Sequence, residues 1–154
     1  MNAFPLEVPT VVDLFPEAVT ACAPVGVAIG RDFDVVMLPE PAARQILDVL
    51  AHISPHPVGA AIACRGQWAL IVRHDSGEGM NWPCPATHHD TGVLSVPPLS
   101  AGPADAVHWA RLGNLDGRVF SAALPLRAAL PLLAPRGPQP ATDRLDRDRP
   151  PVRI

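Results

Sequence analysis

The sequence predicts an α+β fold: a small sheet, mixed or mostly antiparallel, with two to three helices. Three observations lead there. Short β-branched apolar runs outnumber helical stretches, two of those runs are joined by a turn dipeptide, and one segment carries a clean helical period. Twenty prolines in 154 residues set the limits. Proline breaks helix interiors and central strands, so a helical bundle or a coiled coil is excluded. The chain is 48% apolar and 18% charged, so it has a core to bury and is not disordered throughout.

The elements follow in order. Residues 1–24 form a proline-punctuated arm with one short helix at Pro16–Cys22, proline sitting in its first turn. Val25–Gly30 and Val35–Leu38 are too short for helices and are β-branched, so both read as strands, with Gly30–Asp34 as the turn between them. Pro39-Glu40-Pro41 stops the second strand and opens a helix. There Ala43, Ile46, Leu47, Leu50 and Ile53 recur at three and four residues, until Pro55 and Pro57 end it. Val58–Cys64 and Trp68–His74 flank Arg65-Gly66 and form a β-hairpin, glycine taking positive φ freely. Asp75–Gly79 is a loop, Thr91–Val96 a strand stopped by Pro97-Pro98, and Val107–Leu112 an edge strand. In Gly117–Ala134 the residues Phe120, Ala123, Leu124, Ala128 and Leu132 make a helical stripe that Pro125 and Pro131 cut into two short helices or one kinked one. A single domain therefore spans 25–135. Residues 136–154, rich in proline, arginine and aspartate, form a flexible tail.

All twelve basic residues are arginine, and lysine and tyrosine are absent, which points to a GC-rich genome rather than to a function. Residues 1–135 carry seven arginines against twelve acids, a net −5, while the tail carries five against three, a net +2. An acidic body is a poor match for nucleic acid, whose binding rests on phosphate neutralisation. A protein partner or homo-oligomer is the better expectation. Three cysteines at wide spacing make no disulfide framework. The N-terminus has no basic region ahead of an apolar run, and no apolar run approaches the roughly 18 residues of a membrane span. The expected compartment is the cytoplasm.

Several residues are candidates for chemistry. Asp32-Phe33-Asp34 sets two carboxylates one residue apart; on an extended strand both share a face and could hold magnesium or manganese for phosphoryl transfer. The alternative is a polar turn. Cys84, His88 and His89 form the densest group of soft ligands and could bind zinc, against the alternative of a polar surface loop, since a second ligand pair is missing. Ser76 lacks the G-x-S-x-G surroundings of a nucleophile, and Gly77 and Gly79 precede no helix, so neither an acyl transferase nor a phosphate cradle is indicated. Trp68 and Trp109 read as core. Trp82, in a loop, joins Arg65 and Arg73 as a candidate contact residue.

Taken together, Gly30–Pro39 and its helix, Pro57-Val58-Gly59, Arg65–Val72, Trp82-Pro83, Gly92–Pro98 and His108-Trp109 carry a resemblance. In this order they resemble small actinobacterial proteins of the bifunctional DNA primase/polymerase N-terminal (prim-pol-like) type, over residues 25–112. The resemblance implies a nucleotidyltransferase fold whose active members use a D-x-D pair, a strand histidine and a further carboxylate to hold two divalent metals and a nucleotide. Asp32 and Asp34 match the pair, but they start a strand where the family's pair ends one. The histidine's place falls in Arg65-Gly66-Gln67-Trp68, which has none. The expectation is a reduced, non-catalytic prim-pol-like domain acting as a binding or regulatory module. An active metal-dependent nucleotidyltransferase and a small zinc-binding protein are the alternatives.

Overall fold

The computed structural model describes residues 9–54, 56–74, 81–113 and 117–133. The expected tail at 136–154 and the loop at Asp75–Gly79 lie outside the described residues. Among those described, the fold is α+β, as expected: four α-helices and two antiparallel sheets. The strands are β1 (Val25–Ala28), β2 (Phe33–Pro39), β3 (Ala60–Cys64), β4 (Gln67–Arg73), β5 (Thr87–His89), β6 (Val93–Val96) and β7 (Val107–Leu112). Five of them make one sheet in the order β5-β2-β4-β3-β7, and β1 and β6 pair separately as a two-stranded ribbon. The helices are α1 (Val11–Leu14), α2 (Glu17–Thr20), α3 (Glu40–Val49) and α4 (Ala123–Ala129), the last followed by a 3₁₀ turn at Leu130–Leu132.

The larger sheet is covered on both faces, which explains why β4 is an unbroken apolar run rather than an alternating one. Alternation sends Val36 and Leu38 of β2, Trp68, Leu70 and Val72 of β4 and Ala61 and Ala63 of β3 to one face. There they meet Ala43 and Ile46 of α3 and Leu126 and Ala129 of α4. The opposite face, with Phe33, Val35, Ile62, Ala69 and Ile71, packs on Val11, Phe15 and Ala18 and on Leu94 and Val96 of the ribbon. The Arg65-Gly66 turn is as expected. Both residues have positive φ, 51° and 75°, the geometry that matches the twist of a tight hairpin.

Four expectations need correction. Residues 9–24 carry the expected short helix as α2, but a second one-turn helix, α1, precedes it and the segment is no separate arm: Phe15 is fully buried edge-on against Phe33. The turn at Gly30–Asp34 ends earlier, because β2 already begins at Phe33 and takes Asp34 into the sheet. Residues 87–89 are not a loop but an edge strand hydrogen-bonded to β2. In α4 the buried face is Ala123, Leu126 and Ala129, while Leu124 and Leu132 are 67% and 70% exposed. Pro125 does not cut that helix, since it sits in the first turn, where a missing N–H costs no bond.

Candidate functional site

Asp34 is the lone charged side chain among the described buried residues, 1% exposed. Its place follows from the strand period. It lies two residues before Val36, on the face that α3 and α4 cover, and opposite Val72 of β4. A carboxylate there needs partners, because burying an unpaired charge is prohibitively costly. Two histidines supply them from diagonal cross-strand positions. His74 follows β4 directly, two residues beyond Val72, and its Nδ1 lies 2.9 Å from Asp34 Oδ1. His88 of β5 stands opposite Val36, and its Nε2 lies 3.1 Å from Asp34 Oδ2. Each carboxylate oxygen thus accepts from one imidazole. The contacts assign the proton of His74 to Nδ1 and that of His88 to Nε2, at the nitrogen facing the carboxylate.

Trp82 closes the site from the loop before β5. Its ring stacks on His88, with centroids 6.0 Å apart and 14° between planes. Its indole N–H is buried with no hydrogen-bond partner among the described residues. The loop is tied to α4, where Arg127 Nε donates to the Asn81 carbonyl at 2.7 Å. The side chains of His74 and His88 are 36% and 18% exposed, so the cluster reaches solvent at its histidine end.

The structure separates the other candidates. Asp32 lies in the bend before β2, exposed, and does not join Asp34. His88 and His89 are neighbours on a strand and so face opposite sides of the sheet: His88 turns to Asp34, and His89 to a cavity beside the ribbon. Cys84 is exposed in the turn before β5. Cys84, His88 and His89 therefore do not converge on one ion. No group of three His, Cys, Asp or Glu side chains among the described residues is disposed to hold a metal. Arg65 sits in the hairpin turn at the opposite end of β4 from Asp34. Arg73 lays its guanidinium 4.8 Å over the Phe120 ring, on the far face of the sheet. Of the sequence candidates, Asp34, His88 and Trp82 come together. His74, which no motif singled out, completes the group. The signal for it was the carboxylate inside a buried strand with a histidine ending the neighbouring strand.

No family model matches the chain, and no curated protein or solved structure matches it either. No helix among the described residues is long and apolar enough to cross a membrane.

The chemistry open to the cluster is limited by its bonding. Both Asp34 oxygens face imidazole nitrogens, so the carboxylate orients the two rings. A divalent cation would need oxygen lone pairs turned toward it, and the bonding of Asp34 together with the exposed position of Asp32 does not fit a two-metal carboxylate site.

Proposed function

We propose that this chain is a non-catalytic, prim-pol-like domain that serves as a binding or regulatory module. The observation that carries the reading is the engagement of Asp34 by two histidines. Nucleotidyl transfer by two metals asks for carboxylates held open to cations, and here one is committed to imidazoles and the other stands apart in a bend. The order of the segments between Gly30 and Trp109 supports the family reading. The acidic body argues for a protein partner or a second copy rather than nucleic acid, in a cytoplasmic setting.

The test is incorporation of labelled nucleotide on a primed template with manganese present. The expected outcome is none above the protein-free blank. Incorporation that Asp34→Asn abolishes would establish the nucleotidyltransferase alternative instead. Elemental analysis of the purified chain is expected to give less than stoichiometric zinc. One zinc per chain, lost in His88→Ala, would turn the reading toward a zinc-binding protein.

A further inference from the structure

The two sheets do not close on each other completely. Between the β1–β6 ribbon and the larger sheet lies a cavity of about 340 Å³. Its floor is Val35, Ile62 and Ala69, one residue from each of three adjacent strands, and Leu94 of the ribbon forms the facing wall. All four are buried and leave little surface open to the cavity, whose lining also includes the half-buried Ile29 and Met37. At the rim stand Cys64, half-buried, and His89, exposed. That volume lies at the lower end of the roughly 300–1,000 Å³ of small-molecule sites. The composition matches such sites as well, an apolar interior with a few polar groups at the mouth. Water gains little in such an interior, because it finds no polar partners there.

We propose that this cavity binds a compact, largely apolar small molecule, aromatic or branched, with one hydrogen-bonding group directed to the Cys64–His89 rim. The volume is that of a small-molecule site rather than of a macromolecular interface. The occupant is of cavity size and lays its apolar body on the half-buried Ile29 and Met37, over the buried floor of Val35, Ile62, Ala69 and Leu94. The inference deepens the binding-module reading and rests on it for the expectation that the chain takes a ligand. It uses the opposite face of the sheet from Asp34.

Indole, a compact aromatic with a single N–H, is a suitable probe. Titrated into the full chain and followed by amide NMR, it is expected to bind saturably at one site, with shifts concentrated in β3, β6 and the Thr91–Ser95 segment. Ala69→Leu fills the floor and Cys64→Phe blocks the mouth; each should weaken binding by about tenfold or more. Cys64→Phe sits at the half-buried rim and is expected to keep the wild-type unfolding temperature, so its loss of binding is not a loss of fold. Absence of saturable shifts, shifts mapping elsewhere, or an unchanged affinity in Cys64→Phe would overturn the proposal. A dimer that Cys64→Phe dissociates in sedimentation would overturn it too, by assigning the mouth to a second copy. Failure here leaves the nucleotide-incorporation result standing. Incorporation lost in Asp34→Asn, with indole still bound, would instead remove the non-catalytic reading alone.

Discussion

The two faces of the five-stranded sheet are built from the same strands and differ in what covers them. On one face α3 and α4 lay Ile46, Leu126 and Ala129 over Val36, Leu70 and Val72. That cover is dense, and its single charge is tied off by two histidines. On the other face the cover is a two-stranded ribbon and two one-turn helices, and a cavity remains beside the ribbon. Helices carry their hydrogen bonds internally and can slide until their side chains interlock. A ribbon is fixed by its own ladder and by the chain that leads into it. The helical face therefore holds the polar cluster in a packed layer, while the ribbon face leaves a cavity.

Truncation should reveal that difference. Leu126→Ala, in the fully buried helical layer, is expected to cost about 3 kcal/mol, read as a lowered urea midpoint. Asp34→Asn keeps the shape but offers the two imidazoles one acceptor instead of two. A loss of about 2 kcal/mol is expected, together with a changed imidazole proton spectrum for His74 and His88. Leu94→Ala, beside the existing cavity, should cost about 1 kcal/mol, since the ribbon can settle inward. A Leu94→Ala loss equal to that of Leu126→Ala would show that the two faces are equally tight. The smallest effect concerns Asp13, outside both layers. The Thr10 backbone N–H and hydroxyl hold its carboxyl below the usual carboxylate value. A depressed folded value stabilises above the unfolded titration range and is lost as pH falls through the folded one. Urea midpoints measured from about pH 6 to about pH 2.5 should therefore decline less steeply in Asp13→Asn than in the parent.

The parts of this fold that were legible in the sequence are those in which one signal acts locally. The α3 period, the prolines that open it and the Arg65-Gly66 turn each declare their structure within a few residues, whereas the helix ends at Val49, ahead of Ile53 and of the prolines expected to stop it. Thr87-His88-His89 does not, because a polar edge strand owes its existence to β2, about fifty residues away in the chain. Val11, Phe15 and Ala18 read as an arm because Pro16 breaks their period, yet burial against Phe33 makes them core. The site was half visible. Asp34, His88 and Trp82 each stood out as a residue type, but grouped with the wrong neighbours. Asp34 was paired with Asp32 and His88 with His89, both by adjacency in sequence. Strand alternation undoes the second pairing, and the start of β2 undoes the first.

The sheet's outer edges carry a further consequence. At one edge β5 has only three residues, and at the other β7 meets β3 through a register shift between Ala61 and Ile62. Arg111 of β7 folds its guanidinium back onto the carbonyls of Val58 and Gly59. A short edge and a bulged, charged one both discourage a foreign strand from adding to the sheet. Both edges of the larger sheet are thereby guarded against edge-to-edge pairing with another chain.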